Sequence, residues 1–540
     1  MTRLRWGWAE LGAIAALAVM AGAACGDSSD DAAPTGADGG DGADAPVGDP
    51  DAAAGDGPRP IDPGGDGGPP VTSCPSLEMP AAIATVYVDA NAAGTGAGTL
   101  AAPFKSLATA MQSAASKGVL WVAAGTYKEN VDIPDKDLVV YGGFAPGFAS
   151  RTDACATIVE AANVAEPVLK ASSSVKSFGL DGLTVQKGAR GLTVDGDNSV
   201  QATFTIANAV FAENGKTDVE GGGASFDRVN AKITRSVFRD NRAAKGAAIV
   251  CVGDVSVTIS GSLLERNIGY SDHGGALYLS PTAGTITRNV FRGNEIGKGV
   301  GYGWGGAVIV FKAGAAPVKT DFAYNVFTDN LAGVGGAVFV DDGATITMSH
   351  DLVYRNRSYL ENGVARGGAL YADGLSGPTT GSTLVADHLT VAFNTLDEAG
   401  QPAAMTRGGS VFVETYSKVT FTNSIFWKNG DDALFGDPTT SIAVSYSVAS
   451  GSCGGGGTCT IGAGVFEPPD VAFVDEGAND LHEKSTAGHF SKGTWVLDAV
   501  TSPAIDMADP ATGAGSEPAP NGGRANLGAY GRTAEASKSP

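Results

Sequence analysis

The chain is short of charge, and shortest of positive charge: only 17% of its 540 residues are charged, with 36 Lys and Arg against 58 Asp and Glu. A formal charge of −22 excludes nucleic acid or an anionic membrane surface as the main partner, because both are held by basic patches. Long apolar runs are scarce as well. The run at residues 11–20 is too short to cross a bilayer. Glycine, in contrast, is plentiful at 78 residues, which fits short apolar strands joined by tight turns better than helices. The class expected is all-β.

Arg3 and Arg5, the apolar run and Ala21-Gly22-Ala23-Ala24 read as an export signal over residues 1–24. Cys25 follows. Small residues ahead of a cysteine, with Gly-Asp-Ser-Ser after it, resemble the processing site of bacterial lipoproteins, although Gly22 stands where that family usually carries leucine. The resemblance implies a lipid on Cys25 as the sole membrane contact, and Gly26 after it points to the outer membrane or cell surface. Ordinary signal-peptidase cleavage nearby is the alternative. Residues 25–73 form an Asp/Gly/Ala/Pro tether. Eleven aspartates and one arginine between Gly26 and Ser73 carry −10 of the −22, and almost no large apolar residue is there to offset the entropy of ordering.

Export permits disulfides among the other cysteines. Cys453 and Cys459 flank a flexible Gly-Gly-Gly-Gly-Thr, Cys74 and Cys155 can staple the start of the fold, and Cys251 in an apolar run reads as a buried free thiol.

Residues 74–165 read as an N-terminal cap and first coils. They hold a one-sided helical pattern at Phe104, Leu107, Ala108, Met111, Ala114 and Ala115, then strands at 119–123 and 138–141 with Gly125-Thr126-Tyr127 as a separator. Residues 166–450 are repeats, and 451–540 the closing coils and C-terminal cap. One repeat signature places an apolar residue three before an asparagine, at Asn214, Asn241, Asn267, Asn294, Asn330, Asn356, Asn394 and Asn429. The other is a glycine pair entering a strand, as at Gly274-Gly275-Ala276 and Gly335-Gly336-Ala337. A period of this length is one coil of a solenoid, and short β-rich runs with no helix between them make the coils stack as parallel sheets. An asparagine at the same corner of every coil can satisfy turn groups that would otherwise be buried unpaired.

Gly-Gly-Ala alternating with Phe-x-x-Asn resembles the repeats of polymorphic outer-membrane proteins, and the coil plan resembles the pectate-lyase-like superfamily. Together they imply a right-handed parallel β-helix with an N-terminal capping helix and a C-terminal cap. Residues 91–144 are similar to the opening segment of many bacterial β-helices; Ser502-Pro-Ala-Ile-Asp506 and the stretch from Asn521 to Gly531 are similar to their closing segment. The polymorphic proteins carry a C-terminal membrane barrel. None is visible here, so a lipid on Cys25 would serve as anchor.

Enzymes of that superfamily place carboxylates, or a basic residue with calcium-binding acids, on one sheet face. Here the strands after the glycine pairs read Ala276-Leu-Tyr-Leu, Ala307-Val-Ile-Val, Ala337-Val-Phe-Val, Ala369-Leu-Tyr-Ala and Ser410-Val-Phe-Val. Along these runs the requirement for a general acid and base is unmet. Asp272-His273, Asp387-His388 and Asp431-Asp432 echo short motifs of pectin-degrading enzymes, but Asp before Gly is ordinary turn chemistry. Asp341, Asp342, Asp373 and Glu414 recur at strand ends and read as solvated turn residues, with calcium binding as the alternative. The loops between each asparagine and the next glycine pair share one side of the solenoid. They bring Tyr270, Asp272, His273, Tyr302, Trp304, Tyr359, Arg366 and Arg407 to adjacent levels, as a glycan- or protein-binding surface or as residues that pack the loops together. The expectation is an adhesin-like, glycan-binding surface protein; a polysaccharide lyase or glycoside hydrolase, or a structural envelope component, are the alternatives.

Overall fold

The computed structural model describes residues 74–540, except 95, 197–201, 272, 300–302, 361–363, 398–405 and 431–432. The signal, the tether, Cys25, Asp272, Tyr302, Asp431 and Asp432 therefore lie outside the described residues.

Every full coil follows one route. A glycine pair leads into a strand such as Val338–Asp341, a tight turn leads to Thr345–Ser349, and a left-handed bend at His350 (φ 56°) leads to Leu352–Tyr354. A second left-handed bend at Arg355 (φ 56°) places Asn356 at the corner, and the two-residue strand Arg357–Ser358 opens the loop to the next glycine pair. Stacked in parallel, the coils build sheets of 14, 12, 11 and 6 strands. We call them the middle sheet (first strand Val86–Val88, last Thr458–Ile461), the glycine-pair sheet (Val131–Ile133 to Gly454–Gly455), the asparagine sheet (Gly125–Lys128 to Ile425–Trp427) and the short sheet (Arg242–Ala243 to Thr395–Leu396). The chain is a parallel β-helix. Gly125-Thr126-Tyr127, expected to separate strands, opens the first strand of the asparagine sheet.

Two-residue alternation explains the core. In Thr345–Ser349, Ile346 and Met348 are buried while Thr345, Thr347 and Ser349 face outward. Phe211 and Phe238 pair in register and stack at 4.8 Å, as Phe291 and Phe327 do at 4.7 Å. Each such ring contributes about 2–3 kcal/mol by leaving water.

The asparagine ladder is continuous. Asn330 Oδ1 accepts from the backbone N and Nδ2 of Asn294, both at 3.0 Å, and its own Nδ2 donates to Phe291 O and Asn356 Oδ1, both at 2.9 Å. A second ladder, not foreseen, runs through the other bend. Ser236 N donates to Ser262 Oγ, Ser262 N to Asn289 Oδ1, Asn289 to Asn325 Oδ1, and Asn325 to Asp351 Oδ1. Its signal was in the sequence: a small polar residue five before six of the eight ladder asparagines, Ala209 standing before the first. Leu389 interrupts it, and Asp351, wholly buried with no partner for Oδ2 among the described residues, is pushed up to about 7 by that burial.

Helix Leu107–Ser113 covers the first coils, and Glu129 reaches across to its N-terminus. The carboxylate accepts from Ser106 Oγ (2.8 Å), Leu107 N (2.9 Å) and Ala108 N (3.0 Å). Glu129→Ala leaves those donors unsatisfied and is expected to cost about 1–2 kcal/mol locally. Amide exchange should accelerate across Leu107–Ser113 and stay unchanged at Leu352–Tyr354; equal acceleration at both would contradict the local role.

Disulfides join Cys74 to Cys155 and Cys453 to Cys459, while Cys251 is free, buried and pushed up to about 12 by its burial. The C-terminal segment does not stack as a coil. It runs along the outer face of the asparagine sheet, where Ala529 N donates to Thr390 Oγ1 (3.0 Å) and Asp509 N to Asn423 Oδ1 (2.7 Å). The reason is apolar area. Val326, Leu352 and Ile425 face outward there, and Leu527, Ala529 and Tyr530 bury them.

Candidate functional site

The outer face of the glycine-pair sheet is an apolar column: Tyr278, Ile309, Phe339, Tyr371, Phe412 and Phe435 are paired in register. Its rings stack at 4.8 Å (Phe339 on Tyr371), 5.2 Å (Tyr371 on Phe412) and 5.2 Å (Phe412 on Phe435).

On the side where each coil enters its glycine pair, a second column lies over these rings. His273, Trp304, Val334, Arg366 and Arg407 follow one another through parallel bridges. Each side chain leans onto the sheet. His273 meets Trp304 edge-on at 4.5 Å, Trp304 stacks on Phe339 at 5.8 Å, and the Arg366 and Arg407 guanidiniums lie 4.8 Å over Phe412 and 5.7 Å over Phe435. Of the other loop residues expected at this surface, Tyr270 is half-buried and Tyr359 wholly buried, its hydroxyl donating to Gly297 O at 3.2 Å. The structure thus gathers His273, Trp304, Arg366 and Arg407 in one row and uses their stems to hold the loops down. Tyr359 belongs to the interior of the loop layer and offers no open platform.

At the far end of the same strands, the outward alternation continues into acids. Asp341 pairs with Phe311, and Asp373 and Glu414 directly follow the paired residues Ala372 and Val413, so the three carboxylates stack in one column beyond Phe339, Tyr371 and Phe412. This corrects the expectation that the face carries no ionisable residue and that these acids are merely solvated. The four-residue runs considered in the sequence stopped one outward position short. Burial, then the charge of neighbouring carboxylates, holds Asp341 and Asp373 well above the usual carboxylate range. Glu414 is raised by burial and restrained by Arg366, whose guanidinium donates to it at 3.0 Å. Among the described residues, three potential ligands converge closely enough for one ion only at Cys74, Asp153 and Cys155, where both sulfurs are committed to a disulfide.

The fold that carries these columns is a right-handed parallel β-helix. Residues 168–381 match the family model described as right handed beta helix region. A protein described as a probable outer membrane protein, pmp19, of Chlamydia pneumoniae is 27% identical over 159 residues, 27% of this chain and 16% of that relative's length. A pectate lyase, Pel9A, superposes with a TM-score of 0.39 at 14% identity over 83% of this chain and 96% of the lyase, and a rhamnogalacturonan lyase with 0.32 at 14% identity over 78% and 96%.

Proposed function

We propose that this chain is an exported, cell-surface β-helix that binds a glycan on its long-loop side, in the manner of an adhesin. The observation that carries it is the strip on the glycine-pair sheet, where the half-buried guanidiniums of Arg366 and Arg407 and the half-buried carboxylates of Asp341, Asp373 and Glu414 repeat along one axis over a buried aromatic column. That chemistry, planar donors beside carboxylate acceptors, suits a ligand with repeating hydroxyls. The similarity to a probable outer membrane protein supports the surface location, and a lipid on Cys25 would provide the anchor.

A second reading is cleavage of an acidic polysaccharide. The acid Asp373, pushed up to about 8 by burial and standing beside the Glu414–Arg366 ion pair, favours it, because a carboxyl kept protonated near neutrality is a workable proton donor. One experiment separates the two. The full chain is offered a panel of immobilised acidic and neutral polysaccharides, with and without calcium, and both retention and new reducing or unsaturated ends are read. Retention without cleavage, weakened several-fold by Arg407→Ala, is the expected result. Turnover abolished by Asp373→Asn would replace it with the enzymatic reading, and neither retention nor turnover would leave the structural role.

A further inference from the structure

The two ends of the middle sheet are finished differently. At the N-terminal end, the free edge of Val86–Val88 is taken by the loop that follows it. Tyr87 N donates to Gly98 O (2.9 Å), Phe104 N to Tyr87 O (2.9 Å) and Asp89 N to Phe104 O (2.8 Å). Helix Leu107–Ser113 then lays Leu107, Ala110 and Met111 over the core.

At the C-terminal end, the outermost strand Thr458–Ile461 is paired on one side only. Thr458 N and Gly462 N donate back to Thr440 O (2.9 Å) and Val444 O (2.7 Å). Backbone groups alternate in direction along a strand, so the N–H and C=O of Cys459 and Ile461 point the other way, where no strand follows among the described residues. Cys459 and Ile461 pair in register with the core residues Ile442 and Val444 and therefore face inward. Cys459 is nonetheless exposed, as an inward residue is only where the stack of coils stops.

Nothing in the sequence guards this edge. Edge strands are ordinarily kept from pairing by charge, proline, a bulge or a covering element. From Pro438 to Phe466 the chain carries no charged residue, its longest such run, and Pro438 lies outside the strand. The C-terminal segment, which could have covered the end, runs along the asparagine sheet instead. The Cys453–Cys459 disulfide ties the edge across Gly454-Gly455-Gly456-Gly457, so the strand is ordered before any partner arrives.

These features select a second copy as the occupant. Copies of so acidic a chain repel one another over most of their surface, and the uncharged end is where they approach with least repulsion. A two-fold axis through Thr460 sets the two edges antiparallel. Cys459 of one copy then lies opposite Ile461 of the other, each pair exchanging both N–H···O bonds, while Thr460 meets Thr460 as a favourable cross-strand pair. With the axis normal to the sheet, inward face continues inward face, so the partly buried Ile461 covers the exposed Cys459 of its mate.

We propose that Thr458–Ile461 is a self-association edge through which two copies of this chain join tail to tail in a two-fold dimer.

Sedimentation equilibrium of the full chain over a range of concentrations tests it. The native chain should distribute between monomer and dimer. Thr460→Lys, at an exposed outward side chain, sets like charges opposite each other across the axis and should weaken association at least about 10-fold. Thr285→Lys, equally exposed on the same sheet face but several coils away, should leave it unchanged. Mixing Thr460→Lys with Thr460→Glu should restore dimers to the native level, because residue 460 meets itself only in a two-fold pairing. A native chain that stays monomeric at every concentration overturns the proposal, even if its edge takes up a synthetic threonine-rich strand. So does association that Thr460→Lys leaves intact, or that Thr460→Lys abolishes and the mixture fails to restore.

Discussion

Asn330→Ala is expected to cost the fold about 3–5 kcal/mol. The side chain serves both neighbouring coils. Removing it strips the acceptor from two buried donors of Asn294 and leaves Phe291 O and Asn356 Oδ1 each one donor short. No water can replace it at a position only 1% exposed. Asn330→Asp should be milder, because the retained Oδ1 still accepts from Asn294, as Asp351 accepts from Asn325 in the second ladder. Urea unfolding compared with Thr347→Ala, on the outward face of the middle sheet, provides the scale. A loss no greater for Asn330→Ala than for Thr347→Ala would mean the ladder is not what satisfies this corner.

Stability should fall as pH rises from about 5 to about 8, the reverse of ordinary acid denaturation. Glu483 is wholly buried in the C-terminal segment, neither carboxylate oxygen has a partner among the described residues, and burial pushes it up to about 8. Glu517 and Asp351 are pushed up to about 7, also by burial first. Unfolded, such groups titrate near pH 4. Between that value and the folded one the native state holds more protons, so its stability is full below the unfolded pKa and lost as pH climbs through 7 to 8. For Glu483 the swing is roughly 3–5 kcal/mol. Below pH 4 the sign reverses. Asp387 works against its own burial through the His388 imidazole at 3.0 Å and its bonds to Thr422 and Asn423, which together hold it down to about 2, and its contribution is lost in strong acid. The optimum therefore falls between about pH 4 and 6. Urea midpoints from pH 4.5 to 9 check this, with Glu483→Gln expected to flatten the alkaline limb. A midpoint that climbs from pH 5 to 8 would show that these acids do not stay buried.

The coil plan was legible because its signals repeat. Phe-x-x-Asn and Gly-Gly-Ala each recur at one corner, and a residue type fixed by geometry in every coil stands out against variable neighbours. The second ladder was harder to read because serine, asparagine and aspartate share the position, and Leu389 breaks it. The acids of the outer strip were assigned to turns because Asp341, Asp373 and Glu414 sit at strand ends, where acid residues are common. Only pairing register shows that they share a face with Phe339, Tyr371 and Phe412. The course of the C-terminal segment was not legible at all. Its apolar residues are mostly alanines, with no period, and what calls them onto the asparagine sheet is the outward Val326, Leu352 and Ile425 of distant coils.

Hydrogen exchange of the full chain, with and without a saturating acidic glycan, bears most directly on the binding surface. Protection confined to the loops at 295–304, 357–366 and 395–407 and to the glycine-pair strands that carry Asp341, Asp373 and Glu414 is the expected result. Protection on the outward threonines and serines of the middle sheet, with those loops unchanged, would place the binding surface on the wrong side of the solenoid.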